Sequence, residues 1–341
     1  MEESYMQNRK NDRKKLKALV KLIILVIALA SLFYLSIDRL DLEEQSPTSV
    51  SQNQNSQQEE ISQPKQNQEE VTGEMFVHMI DVGQADSFLF VQGENTMLID
   101  CGTRGEGDDV VSYLQELGIE KIDVLVGSHP HDDHMGGMKK VIDAFEVSQI
   151  YVSDVSNCEI TSNWYATFWE TIMEENLPHQ TLKNGDYFNV GQMQVELLAP
   201  IAYQGSNINN YSLVMKVSFG QTDILMTGDA ETEIEEEILA LGEDLDVEVL
   251  KMGHHGSDTS SSEVFMQATS PEYVLISAGV ANKYHHPCET TMQYLEDNQI
   301  PVYRTDESGT VIMETDGKTI RFDKKPGDYL PGDELEQKKA A

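Results

Sequence analysis

Between Glu74 and Asp323 the apolar positions recur with two periods, near two and near 3.6, and the order of these runs predicts the layout of the chain. MFVHMIDV, DSFLFVQ and NTMLIDCG predict three short strands, the last two joined by Gly93-Glu94-Asn95. DDVVSYLQELGI places Val110, Leu114 and Leu117 on one helical face, with Gly118 as the stop. IDVLVGS predicts a buried strand, and GGMKKVIDAF restarts as a helix. QIYVS and NWYATFWETIMEEN repeat the strand–helix pair. QMQVELLAP, YSLVMKVSF and TDILMTGD predict strands, and ETEIEEEILALG a helix. VEVLKMGHHGS runs from strand into loop, EYVLISAG is a strand, ETTMQYLEDN a helix, and PVYRT, GTVIMET and KTIRF close as strands. Each half of the chain opens with β-structure and continues with helices between strands. The expectation is an α/β fold of two packed sheets with helices outside. Polar motifs fall at the C-terminal ends of strands, where α/β proteins place their sites.

The flanks follow a different pattern. Residues 1–17 are basic, with Arg9, Lys10, Arg13, Lys14, Lys15 and Lys17, and an apolar run extends from Leu22 to Ile37. With Ala18 to Val20 the run reaches about 20 residues, the length of a membrane span. The expectation is a signal anchor at 18–37 with residues 1–17 cytoplasmic and the remainder extracytoplasmic. That makes a single-pass protein of the cell membrane. The competing reading is a secreted form cleaved near Ala30. Residues 38–73 are rich in Gln, Ser, Asn and Glu and predict a disordered linker, residues 74–325 a single ordered domain, and 326–341 a flexible tail with two Pro-Gly turns. A single apolar run is no channel, so the chain is expected to bind or catalyse, not to transport.

Composition narrows the partners. The 341 residues are 39% hydrophobic and carry a net charge of −35. Residues 1–40 are net basic and 41–73 net acidic, leaving about −33 on residues 74–341. Such a field does not attract polyanions from a distance, so a nucleic-acid role needs metals and a local contact surface. Cys101, Cys158 and Cys288 form no CxxC pair and predict three separate thiols; one bridge among them is the alternative in an oxidising compartment.

The densest chemistry is GSHPHDDHMGG, residues 127–137. His129, His131, Asp133 and His134 are imidazole and carboxylate groups at a spacing suited to zinc or another first-row divalent ion. Alternation puts His129 and His131 on one side of an extended segment, while Asp133 and His134 open the next turn and can face a second ion. A polar turn capping the following helix is the plainer reading of the aspartates, but it requires no histidines.

With HMIDVGQADSFLF, LIDCG, SHPHDDHMGG, NNYSLV, LMTGD, LKMGHHGS, SAGVANKYHHP and VYRTDESG in this order, the chain resembles the metallo-β-lactamase-fold hydrolases. It resembles most closely the metallo-hydrolase domain of ComEC-type competence proteins, over about 250 residues. The resemblance implies a metallo-β-lactamase-like αββα sandwich holding two divalent metal ions, Zn or Mn. It implies that His129 and His131 bind one ion, Asp133 and His134 the other, and that Asp229 bridges them. His254 and His255 supply the remaining ligand, His255 being the first choice, with the other ring orienting substrate or a ligand. Asp133, Asp229 and His254 are the expected catalytic groups. Lys251, Ser257, Asn282, Tyr284, His286 and Arg304 are the candidate substrate contacts, against plainer readings such as an Arg304–Asp306 pair or a core Tyr284. Two departures stand out: Asn207, Asn209, Asn210 and Ser212 occupy the region where many relatives place a further histidine, and Ala85 replaces a usual glycine. Two adjacent cations lower the pKa of a shared water, and the hydroxide attacks a bound electrophile. The expected activity is phosphodiester hydrolysis, with DNA as a candidate substrate linked to uptake. The alternatives are a cell-surface phosphodiesterase acting on phosphorylcholine of teichoic acid and a non-catalytic surface module of the same fold.

Overall fold

The computed structural model describes residues 71–203 and 205–335. Fifteen strands among these residues form two sheets. The first sheet holds β1 (Met75–Met79), β2 (Phe88–Gln92), β3 (Asn95–Ile99), β4 (Lys121–Gly127), β5 (Glu146–Ser153), β6 (His179–Leu182), β14 (Val311–Thr315) and β15 (Ile320–Phe322), in the order β15-β14-β1-β2-β3-β4-β5-β6. The second holds β7 (Tyr187–Val190), β8 (Met193–Ala199), β9 (Val214–Phe219), β10 (Thr222–Met226), β11 (Val249–Lys251), β12 (Tyr273–Ile276) and β13 (Val302–Arg304), in the order β13-β12-β11-β10-β9-β8-β7.

Both sheets are built the same way. An antiparallel meander, β1-β2-β3 or β8-β9-β10, is extended by parallel strands, β4-β5-β6 or β11-β12-β13. Parallel neighbours need crossovers, and helices supply most of them. α1 (Gly107–Glu116), α3 (Met138–Ala144) and α4 (Asn163–Glu175) cover the first sheet, while α5 (Thr232–Leu241), α6 (Glu263–Thr269) and α7 (Glu289–Asp297) cover the second. Two one-turn helices, α2 (Asp132–Met135) and α8 (Thr305–Ser308), lie in loops at strand ends.

Strand alternation sorts the apolar residues into layers. On β9, Met215, Val217 and Phe219 join Met75, Val77, Phe90 and Met97 of the first sheet in the core between the sheets. Val214 and Leu225 point the other way, beneath α5 and α6 with Ile234, Ile238 and Phe265. Leu89, Leu98 and Leu125 meet Val110, Val141 and Phe168 on the opposite outer face. The expected αββα sandwich is present. HQTL and YFNV, too short and polar to stand out as strands, are edge strands β6 and β7.

The flanks call for two corrections. Among the described residues no helix is long and apolar enough to cross a membrane. This is counter to the expected single-pass membrane protein with an extracytoplasmic domain. The run at 18–37 on which that expectation rested, with residues 1–17 and all but the last three residues of 38–73, lies outside the described residues. The expected flexible tail is also corrected over residues 326–335, which pack against the domain. Arg304, fully buried, holds Asp306 through both carboxylate oxygens (2.7 and 2.6 Å) and donates to the carbonyls of Asp328 (3.5 Å) and Leu330. Tyr329 donates to Ile300 O, and Leu335 is buried. The Arg304 guanidinium is therefore a structural tie and not a substrate contact.

Removing one partner of a buried ion pair leaves the other charge unpaired and typically costs about 3–5 kcal/mol. Arg304→Ala is expected to lower unfolding free energy by that amount in urea titrations and to release residues 326–335 to fast amide exchange. A loss below about 1 kcal/mol would show the pair to be dispensable.

Candidate metal centre

The site lies at the shared C-terminal edge of β4, β10 and β11, where three loops deliver polar side chains. β4 ends at Gly127, and His129 and His134 follow, both fully buried. His131 keeps extended backbone (φ −93°, ψ 153°) and leads into α2, which carries Asp133 and His134. The two glycines after α2 are required by close approach: a Cβ on Gly137 would stand 2.1 Å from the Cys101 carbonyl, and one on Gly136 would stand 2.3 Å from that of Asp132. β10 feeds Thr227-Gly228-Asp229, and β11 feeds a 3-10 turn, Gly253–Gly256. There His254 and His255 both adopt left-handed backbone (φ 49° and 56°), a conformation that costs non-glycine residues about 1–3 kcal/mol each and clusters at functional sites.

All these loops aim at one atom. Asp229 Oδ2 lies 3.2 Å from His134 Nε2, 3.7 Å from His254 Nε2, 3.8 Å from His255 Nε2 and 3.9 Å from His129 Nε2. The opposite ring nitrogens are engaged in ways that fix the tautomers. His134 Nδ1 donates to Asp100 Oδ2 (2.8 Å) and His255 Nδ1 to the Ser277 carbonyl (2.9 Å). Ser128 Oγ gives its only hydrogen to Asp100 Oδ2 (2.7 Å), so it accepts from His129 Nδ1 (3.2 Å), as does Ser212 Oγ (3.2 Å). The Nε2 atoms of these three rings are thereby turned toward Asp229, in the arrangement that orients metal-binding histidines.

Asp133, His134, Asp229 and His255 each place a ligand atom within 4.8 Å of all the others. Ligands about 2 Å from one shared ion stand at such separations. His134 Nε2, His255 Nε2 and Asp229 Oδ1 are buried without a hydrogen-bond partner, so the residues present fit a divalent cation. Four carboxylates, of Asp86, Asp100, Asp133 and Asp229, meet the one permanent charge of Lys251, which strengthens the demand for positive charge. Burial works against ionisation here, yet His134 and His255 hold Asp229 well below the ordinary carboxylate range. Burial also opposes charge on His255, but Asp229 and Asp86 push it up to about 10. His129, by contrast, is driven well below its ordinary value by burial and by His134, and stays a neutral ring.

The expected ligands are thus assembled unevenly. His255, not His254, belongs to the tight group of four. His129 Nε2 and His131 Nδ1 lie 3.0 Å apart beside that group. His254, a quarter exposed, has its Nδ1 against Thr259 Oγ1 (3.2 Å). A cavity of about 250 Å³ opens here, lined by His131, Asp133, Asp229, His254 and His255 together with Gln84, Tyr284 and His286.

Of the candidate substrate contacts, Tyr284 and His286 line this cavity and four residues do not. Lys251 is fully buried, 2.5 Å from Asp86 Oδ2 and 2.9 Å from the Gly228 carbonyl, and steadies the loop that carries Asp229. Ser257 Oγ accepts from Thr259 N and shapes the His254 loop. Asn282 Nδ2 donates to the carbonyls of Gly279 (2.9 Å) and His286 (2.6 Å), fastening its own loop. Arg304 is held by Asp306, as described above. Conversely, Asp86 and Asp100 escaped assignment, although each follows a predicted strand boundary in GQADS and LIDCG. The asparagine-rich segment turns largely to acids: Asn207 and Asn209 donate to Glu231 and Asn210 to Glu233. Ala85 is fully buried and not among the described residues with left-handed backbone, so its turn tolerates a side chain.

Loss of a partner that orients a ligating histidine typically costs 10–100-fold in metal affinity. Asp100→Asn is expected to weaken Zn²⁺ or Mn²⁺ binding by about that factor in calorimetric titration, with the melting temperature of the metal-free chain little changed. Affinity within twofold of the parent chain would detach Asp100 from the metal centre.

Residues 80–280 match the Metallo-beta-lactamase superfamily. The chain is 31% identical to ComE operon protein 3 of Bacillus subtilis (strain 168), over 69% of this chain and 32% of that protein. It is 32% identical to competence protein ComA of Neisseria gonorrhoeae, over 70% of this chain and 32% of that protein. The chain therefore spans about a third of the length of these curated relatives. Among solved structures it is similar to Igni18, a metallo hydrolase from the hyperthermophilic archaeon Ignicoccus hospitalis, at 13% identity and a TM-score of 0.46, over 70% of this chain and 98% of that one. The matched span begins just after β1, ends just after β12 and contains both histidine loops and Asp229, and the chain belongs to the Metallo-beta-lactamase superfamily, as a relative of the competence proteins.

Proposed function

We propose that this chain is a metal-dependent hydrolase that cleaves phosphodiester bonds, with DNA as the candidate substrate. One observation carries the reading: a single carboxylate oxygen of Asp229 faces four imidazole nitrogens at 3.2–3.9 Å, at the floor of an open cavity. In this reading Asp133, His134, Asp229 and His255 hold one divalent ion, and His129 and His131, with Asp229 shared, hold a second; zinc and manganese both suit the donors. Such ions would acidify a water molecule and neutralise charge on the attacked ester.

The chain's own residues do the rest. Asp133 and Asp229 orient what binds at the floor. His254, partly exposed and edge-on to His286 at 5.5 Å between ring centroids, stands where a bound ester meets the floor. Tyr284 stacks on His286 (5.8 Å, 25°) and walls the cavity, keeping bulk water to one side. A phosphodiester suits this arrangement because its non-bridging oxygens are drawn to cations while its neutral substituents extend along the open cavity. The names of the relatives, competence and recombination proteins, favour DNA among phosphodiesters. The charge of −35 offers no long-range pull on DNA, so selection rests on the metal floor and the wall.

The full chain loaded with Mn²⁺ or Zn²⁺ is expected to hydrolyse bis-p-nitrophenyl phosphate and to cut labelled single- or double-stranded DNA. Chelation, or Asp229→Ala, should reduce both rates by at least about 10³-fold, the scale of a group acting directly on developing charge. No turnover with metal bound would sink the hydrolase reading. Turnover of the small diester without DNA cleavage would keep the phosphodiesterase and reject the nuclease.

A further inference from the structure

We infer that Gln84 is a substrate-positioning residue, whose side-chain N–H₂ group donates to an oxyanion of the ester lying against the metal floor. The inference rests on the hydrolase reading and adds a contact to substrate from a residue of the cavity lining outside the metal-ligand set.

The orientation of the Gln84 amide follows from its partner. Its Oε1 accepts from Gly279 N at 3.0 Å, and a backbone N–H can only donate, so the oxygen is committed there and the nitrogen turns away. That nitrogen is buried and has no hydrogen-bond partner, while the residue lines the cavity beside Asp133, His254 and His255. A buried donor left unpaired is costly, and a ligand accepting from it would recover that cost. His286 Nδ1, in a residue only 8% exposed on the same wall, is also without a partner. Two unsatisfied nitrogens thus belong to residues that line the same cavity as the carboxylates and imidazoles.

The wall is rigidly mounted. Ser277 Oγ donates to the Ala85 carbonyl at 2.6 Å, and Gly279 approaches so closely that a Cβ there would stand 2.6 Å from Gln84 N. The same two loops carry Asp86 and Ser277, which hold His255. Donor and metal ligands are therefore set in one frame, as a site that fixes both ends of a bound anion requires. A neutral amide adds no positive charge that would compete with the metals for the carboxylates. It can grip an oxyanion in a domain whose net charge would otherwise repel one.

The test uses the full chain loaded with diamagnetic Zn²⁺ and inorganic phosphate as the probe. In the parent chain, the ¹⁵N-labelled side-chain amide signal of Gln84, identified by its loss in Gln84→Met, is expected to shift on adding phosphate. Phosphate affinity by calorimetry should fall about tenfold in Gln84→Met and further in Gln84→Glu, the scale of one hydrogen bond to a charged group. Metal content by elemental analysis should stay that of the parent, and KM for bis-p-nitrophenyl phosphate should rise more than kcat falls. An unmoved amide signal in the parent chain with phosphate bound, or Gln84→Met binding phosphate within twofold of the parent, would overturn the assignment. Loss of metal from the folded Gln84→Met chain would do so too, by making Gln84 a support of the metal floor. Because the readout is anion binding, it is separable from the turnover that tests the hydrolase reading.

Discussion

Asp229 Oδ2 is the point on which the rest of the domain depends. A carboxylate buried to 1% exposure is costly, and three more carboxylates, of Asp86, Asp100 and Asp133, crowd the same region. Lys251 relieves part of that cost through Asp86 and the Gly228 carbonyl. The backbone N–H of Asp229 is taken by Ser212 Oγ, the same hydroxyl that accepts from His129. Each of these contacts fixes the position of the carboxylate or of an imidazole facing it. None removes the surplus of negative charge. The site is thus held in shape by the protein and left incomplete in charge, which is the condition for tight and selective uptake of a divalent cation.

The topology explains how residues more than 100 positions apart reach one point. Each sheet is a three-stranded meander extended by parallel strands, and the two are matched in register of function. The last meander strand ends in Ile99-Asp100 in one sheet and runs through Met226 to Asp229 in the other. The next, parallel strand ends in the His129–His134 loop in one sheet and in the His254-His255 loop in the other. A parallel strand delivers its C-terminal loop to the same edge as its neighbour. Packing the sheets across the core of Met215, Val217, Phe90 and Met97 brings the two edges together. The centre is therefore a product of pairing and packing, and no single loop could form it.

What was readable in the chain follows from this. Apolar alternation marks strands whatever their partners, and histidines dense in one loop announce metal chemistry, so the two packed sheets and the polar cluster of the first motif were legible, while the preference for His255 came from family resemblance. Burial of polar groups was not. Lys251 and Arg304 look like residues that reach for substrate, because lysine and arginine near a site usually face water; both are fully buried ion-pair partners. Asp86 opens one predicted strand and Asp100 lies near the end of another, and their side-chain partners stand 28 or more positions away at Ser128, His134, Lys251 and His255. The tail at 326–335 reads as Pro-Gly turns, and its order comes from carbonyls caught by Arg304, a contact with no local signature. The apolar run at 18–37 was read from hydropathy alone, which reports length and polarity but no structure.

The charge distribution imposes an order of events. With four carboxylates at the centre and a net charge of −35 over the chain, an anionic ester approaching the metal-free site meets repulsion at every distance. Divalent ions reverse the sign locally, and within roughly a Debye length, about 8–10 Å, the floor becomes attractive while the surroundings remain acidic. Attraction confined to that range favours a substrate already presented at the cavity over one captured by long-range steering. Of two exposed cationic residues beside the cavity lining, Arg104 is paired with Asp132 at 2.8 Å, while Lys283 lies 4.7 Å from the Tyr284 ring centroid and keeps a single charge against a strongly acidic chain. For the phosphodiester proposed above, recognition would then fall to short-range contacts at the cavity, with metal bound before substrate.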